Sequence, residues 1–309
     1  MITRILIRIK VVQMLYSYFL TKKEKSVAEA TKELSKSLDK AYELYISLLV
    51  LMIDLTTYQD SRLDQAKHKY LPSEEDLNPN TKFVENAFIE KLKNNKTLQE
   101  YQKDAHISWR EDDIFLKLML DKILNSDVYK EYMAEGKRDY KSDCELWRNL
   151  LKKVILKDEE LVEVLEAKSV YWNDDLSIMG TFALKTIKQF ETDETADIQK
   201  MYKDEEDSCF GEKLFLLAIR ECEENNQLID KFVQTDSWDT ERIPFMDRVI
   251  IGVALSEIKN YDQIPLKVSI NEYIEIAKYY STPKSASFVN GMLNSTIQYL
   301  KKQGRIIKD

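Results

Sequence analysis

An all-α fold is predicted by three features of this 309-residue sequence. Gly and Pro are scarce, at 6 and 5, and no Pro lies between Pro79 and Pro244. So long a stretch without turn punctuation favours long helices over a many-stranded fold. Apolar residues recur at helical spacing in most segments, and Ser, Thr or acidic residues stand just ahead of the apolar runs, where helix starts are expected.

The composition sets further bounds. Hydrophobic residues make up 44% and charged residues 32%, the balance of a soluble globular protein long enough for two domains or one enlarged one. The net charge of −8 disfavours general polyanion binding, so any nucleic-acid site has to be a local basic patch. The 3 Cys (Cys144, Cys209, Cys222) are few and odd in number, which points to a reducing cytoplasm without a disulfide framework. With only His68 and His106 and no paired Cys spacing, neither a metal nor another cofactor is expected. The apolar N-terminus is interrupted by Arg8 and Lys10 and does not read as a secretory signal. Leu48–Ile53 is too short to cross a bilayer, and no membrane partner is expected.

The first helix is expected from Thr3, read as its N-cap, to about Leu20, with Ile5, Ile9, Val12, Tyr16 and Phe19 on one side. Six basic residues and one acid fall between Met1 and Lys25. Two readings of that stretch stand: an amphipathic core helix with solvated ends, and a phosphate-binding patch. Helical pattern continues from Ser26 to Asp64, and the stretch Leu71–Asn80 reads as a linker. A repeat then appears. Trp109, Trp172 and Trp238 are each followed by acids and an apolar segment. This suggests related helix–loop–helix units, although acids are also simply favoured at helix starts. The same argument removes the pairs Asp112/Asp113 and Asp174/Asp175 as catalytic candidates. The Gly residues never cluster and no Ser sits between two of them, so no phosphate loop or nucleophile elbow is present.

The stretch Ile264–Gln298 carries the most information. Ser269-Ile270-Asn271-Glu272 has capping-box form, Ser281–Lys284 breaks the helix, and Ser285 is expected to cap the next one. Gly291 in the first turns of that helix is either a close-packing position or part of a site. Lys259–Asp309 holds eight basic residues against four acids, so both chain ends are basic.

The run I-P-L-K-V-S-I-N-E-Y-I-E-I-A-K-Y-Y, a short turn, then F-V-N-G-M-L resembles the C-terminal signature of the NusB family. Trp238–Ile243, the helix from Asp247 to Ile258 and Val12–Ser17 extend the resemblance. The resemblance implies an all-α, NusB-like helical bundle, here enlarged by inserted helix–loop–helix units. Residues 1–35 and 206–309 would form the family core and 36–205 a helical insertion. It further implies a cytoplasmic, non-enzymatic transcription antitermination factor. Such a factor binds boxA-type single-stranded RNA with a small-subunit ribosomal protein acting as NusE, on the RNA polymerase elongation complex, and supports ribosomal RNA transcription. The RNA-binding residues carried over are Arg4, Arg8, Lys10, Gln13, Tyr16, Lys284, Phe288, Asn290, Gly291 and Asn294. The sequence departs from the family at Ile5–Ile7, where basic residues are usual, and at Asn294, where Asp is frequent. A second reading keeps the core as a protein-interaction scaffold without RNA binding. A third, the RNA cytosine methyltransferases that carry such domains, has no Gly-rich cofactor loop to support it.

Overall fold

The computed structural model describes residues 2–21, 24–193, 195–235 and 243–308. All regular structure among them is helical. In chain order the α-helices are α1 (Arg4–Leu20), α2 (Val27–Lys67), α3 (Glu74–Leu77), α4 (Ala87–Lys93), α5 (Lys96–Asp104), α6 (Asp113–Asn125), α7 (Asp127–Ala134), α8 (Tyr140–Lys153), α9 (Glu159–Lys168), α10 (Leu176–Thr192), α11 (Glu205–Arg220), α12 (Cys222–Thr235), α13 (Phe245–Asn260), α14 (Leu266–Tyr280) and α15 (Ser285–Lys302). They fall into two compact units. A terminal unit comprises residues 2–38 and 202–309, and a central unit comprises residues 39–201. The chain passes from the first to the second inside α2.

In the central unit the second part of α2 is the core element. Leu44, Tyr45, Ile46 and Leu48–Met52 are buried. By length and composition α2 could cross a membrane, but 83% of its apolar window is covered by protein, as in a core helix. The two described Trp of the repeat both dock on it. Trp109 donates its indole N–H to the Ser47 carbonyl at 2.9 Å, and Trp172 donates to the Lys40 carbonyl at 2.7 Å. The acceptors are seven residues apart, two turns along one face, so the two motifs make equivalent contacts. These Trp pack against helix backbone and offer no stacking platform. Trp238, the third member, lies outside the described residues. The acid pairs stand at helix starts: Asp112 and Asp175 are the N-cap residues of α6 and α10. Residues 68–80 are less bare than a linker, because Ser73 and Asp76 close a capping box that starts α3.

In the terminal unit α1 packs on α11 and α13, and α13 touches α12, α14 and α15 as well. The expected one-sided α1 is corrected. Residues 6–12 are buried without a break, while Ile5, Tyr16 and Phe19 are half-exposed. Leu6 and Ile7, read as missing basic positions, are core residues. Burying each such side chain contributes about 1.5–3 kcal/mol. Gly211 lets α11 settle on α1, since a methyl there would lie 2.8 Å from Ile7 Cγ2.

Two expected caps are also corrected. Ser269 is not a helix start, because α14 begins at Leu266 behind Pro265 and Ser269 is a buried residue one turn in. Ser285 is the first residue of α15, after Lys284. Its hydroxyl accepts the Thr282 N–H at 3.1 Å and donates to Asp247 Oδ2 at 2.8 Å. That bond ties the turn between α14 and α15 to the start of α13.

Candidate nucleic-acid interface

The ten sequence-derived residues divide between two places. On α1, Arg8 is the clearest departure from expectation. It is 3% exposed and paired with Glu257, which is 0% exposed. The guanidinium donates to Glu257 Oε2 at 2.7 Å and to Oε1 at 2.8 Å. Ser269 and Tyr273 of α14 donate to the same two oxygens at 2.6 and 2.9 Å. Burial opposes the Arg8 charge, but the Glu257 hydrogen bonds outweigh it and raise its pKa. Burial and then the Glu257 carboxylate push the Tyr273 phenol well up. Arg8 is therefore a core ion pair joining α1, α13 and α14, and is removed from the RNA surface. The physical reason is that a charge inside a helix buried all round needs a dedicated counter-charge.

Lys10, 5% exposed, is likewise not a surface cation. Arg4 is partly exposed but engaged. It donates to Asp207 at 2.7 Å and Glu206 at 3.0 Å, and these acids overcome its desolvation and raise its pKa. Gln13 and Tyr16 are half-exposed. The Tyr16 ring lies 5.3 Å from that of Phe245, the first residue of α13.

The second place is the start of α15. Lys284, Ser287, Asn290, Gly291, Asn294 and Gln298 are all exposed, and their spacing places them on one helix face. Asn294 donates its amide to the Asn290 backbone carbonyl at 2.9 Å and to Asn290 Oδ1 at 2.8 Å. The close-packing reading of Gly291 is corrected, because a Cβ built there would meet nothing within 4 Å. The space beside it is a groove of about 610 Å³ between the end of α12, the start of α13 and α15. Val233, Pro244, Phe288 and Met292 supply apolar walls, Lys284 and Ser287 the polar margin, and Asp247 also lines it. Phe232 of α12 closes one side and meets the Tyr299 ring edge-on at 5.6 Å. The Lys231 ammonium beside Tyr299 holds that phenol below its ordinary value.

The structure does not bring the two places together. Tyr16 contacts the first residue of α13, whereas Arg8 binds Glu257, twelve residues further along that helix. At 1.5 Å per residue this is about 18 Å. The cationic end of α1 is thus remote from the groove, and only Gln13 and Tyr16 lie toward it. Asp247 was not singled out in sequence, because an acid in the first turn of an apolar helix is ordinary.

The net charge is also unevenly divided. Residues 39–201 hold 24 Lys and Arg against 33 Asp and Glu, whereas the remaining residues hold 22 against 21. The acidity of the chain therefore belongs to the central unit.

The NusB family model matches residues 176–298, which contain the groove and the whole exposed face of α15. The C-terminal part of this chain is a NusB-family domain. The match begins at the first residue of α10 and leaves out α1. Three bacterial proteins named transcription antitermination protein NusB are similar to it. That of Salinibacter ruber is 40% identical over 99 residues, covering 32% of this chain and 61% of the relative. That of Chloroherpeton thalassium is 42% identical over 87 residues, 28% and 41% of the respective lengths. That of Natranaerobius thermophilus is 37% identical over 87 residues, 28% and 63%. The chain thus spans less than two thirds of each of these NusB relatives. No solved structure matches it.

Proposed function

We propose that this chain is a cytoplasmic, non-enzymatic transcription antitermination factor of the NusB type. It binds boxA-type single-stranded RNA together with a small-subunit ribosomal protein in the NusE role, on the RNA polymerase elongation complex, in support of ribosomal RNA transcription. The observation that carries the reading is the open apolar groove lined by Phe288, Gly291 and Lys284 inside the family-matched segment, with the Asn290 and Asn294 amides exposed on the same helix. Unstacked bases bind such surfaces by stacking on an aromatic ring and hydrogen bonding to side-chain amides. Lys284 would hold a phosphate, Phe288 would stack, and Asn290 and Asn294 would meet base edges. Gln13 and Tyr16 extend the surface past Phe245, and Arg4 contributes only its exposed edge.

A gel-shift with boxA-type RNA, with and without the ribosomal protein, tests this. Binding that tightens when the partner is added and weakens in Phe288→Ala supports the reading. Absence of binding in both conditions overturns it. One observation favours the scaffold alternative: Arg4 and Arg8, the main cations of α1, already have carboxylate partners. That alternative predicts capture of the ribosomal protein without RNA.

A further inference from the structure

One polar atom of the groove is not accounted for by the fold. Asp247 is 1% exposed. Its Oδ2 accepts the Ser285 hydroxyl, but its Oδ1 is buried without a hydrogen-bond partner. A buried carboxylate oxygen left unpaired is costly, and a donor brought by a bound molecule would relieve that cost. The surroundings define that ligand. The walls from Val233, Pro244, Phe288 and Met292 suit a flat apolar body, and the volume is that of a small-ligand site. Lys284 at the rim is exposed and forms no ion pair among the described residues, so it disfavours a cationic occupant and favours one with an anionic group outside. Gly291 leaves the mouth open. A planar group with an N–H edge and an attached phosphate is a nucleotide.

We infer that the groove selects one unstacked nucleobase by its amino edge, with Asp247 Oδ1 accepting the exocyclic N–H and Lys284 holding the adjoining phosphate. This rests on the RNA-binding reading above and adds base selectivity to it. Cytosine and adenine present an amino N–H at the edge of the ring, and a carboxylate is a known acceptor for such a donor. Uracil presents its N3–H between two carbonyl oxygens, whose lone pairs repel a carboxylate. Asp247→Asn changes the rule in a defined direction. The Ser285 hydroxyl donates, so it keeps the amide oxygen of the new Asn on the Oδ2 side. The amide NH2 then stands where Oδ1 was, and the group offered to the bound base becomes a donor. Uracil, with a carbonyl at that edge, becomes the preferred base.

The experiment uses the full chain and fluorescence-labelled single-stranded homopolymers of C, A and U, each about 10 nucleotides long, a typical site size. The expected result is C and A about tenfold tighter than U, the value of one hydrogen bond to a charged group. Asp247→Asn should reverse the order, with its melting midpoint recorded to show that it is folded. Should that variant not fold, Gly291→Leu decides. Its Cβ meets nothing within 4 Å, its longer side chain narrows the mouth of the groove, and it should abolish the ranking. Equal affinity for all three homopolymers in the wild type, or a ranking unchanged in the variants, overturns the assignment of Asp247 while leaving RNA binding in place. Failure to bind any RNA overturns the underlying reading. An oligo-arginine peptide that binds the wild type but not Asp247→Asn overturns the nucleobase in favour of a basic protein partner.

Discussion

Replacing Arg8 with Met separates the two roles that sequence and structure assign to it. In the structure the change leaves Glu257, which is 0% exposed, without the guanidinium it is paired with. It removes two of the four hydrogen bonds to that carboxylate and leaves those from Ser269 and Tyr273. Breaking a buried pair from one side costs about 3–5 kcal/mol, a large share of the roughly 5–15 kcal/mol that holds a domain folded. Urea denaturation should therefore show a much lower midpoint for Arg8→Met. The double variant Arg8→Met with Glu257→Gln should recover much of the loss, because an amide in place of the carboxylate leaves no uncompensated charge, its oxygen accepts one of the two hydroxyls and its NH2 donates to the oxygen of the other. Below the unfolding concentration, the salt dependence of RNA binding should be unchanged. If Arg8 instead held a phosphate, stability would barely move and the salt slope would fall by about one contact. A stability loss below about 1 kcal/mol together with a flatter salt slope would refute the core assignment of Arg8.

Two Gly substitutions should move in opposite directions. Gly291→Ala meets nothing within 4 Å and should stabilise α15 by about 0.5–1 kcal/mol, raising the melting midpoint by a few degrees. Gly211→Ala places a methyl 2.8 Å from Ile7 Cγ2 and should lower it, at a cost of about 1–3 kcal/mol for overpacking. Acid should loosen the Arg4 pairing. Gln263 and Arg4 hold the Glu206 carboxyl below its ordinary 4.5, so its contribution is complete above that pH and is lost as pH falls through the lower folded value. The Arg4 Nη2–H resonance, which reports the bond to Glu206, followed from neutral pH downward, should shift only below about pH 4.5, and a shift complete at higher pH would contradict the pairing.

The helical class was legible because it follows from local signals: scarce Gly and Pro, spacing and caps. The likeness of Trp109 and Trp172 was legible in their shared following acids, but that both dock on α2, far ahead of them in the chain, was not. What sequence could not give was sidedness inside the terminal unit. An Arg at an α1 position looks alike whether its partner is a phosphate or Glu257, 249 residues away. The Ser269 to Glu272 spacing fits a capping box, but Pro265 starts the helix four residues earlier, and the Ser then serves Glu257 instead. Gly291 carries no signal that tells a packed neighbour from open space. Asp247 looked like an ordinary first-turn acid, and only the approach of Ser285 on one side and the groove on the other gives it a distinct role.

The number of cations left for RNA sets how the affinity should arise. Arg8 and Lys10 are buried, and Arg4 is paired with two acids. Beside the groove, Lys284 is the exposed cation without an ion pair among the described residues. Each phosphate contact with a single strand contributes about −0.7 to the slope of log affinity against log salt. One or two contacts therefore predict a slope of about −0.7 to −1.4, shallow for a nucleic-acid binder. The remaining affinity has to come from stacking at Phe288 and from the Asn290, Asn294 and Asp247 edge contacts, at about 1–3 kcal/mol per stacked base. Those contacts alone give weak binding, which is why the reading needs a second RNA-contacting protein in the complex. Anisotropy titrations between about 50 and 200 mM salt would measure the slope. A slope steeper than about −3 would mean at least four phosphate contacts, and would place the main RNA path away from the α15 groove.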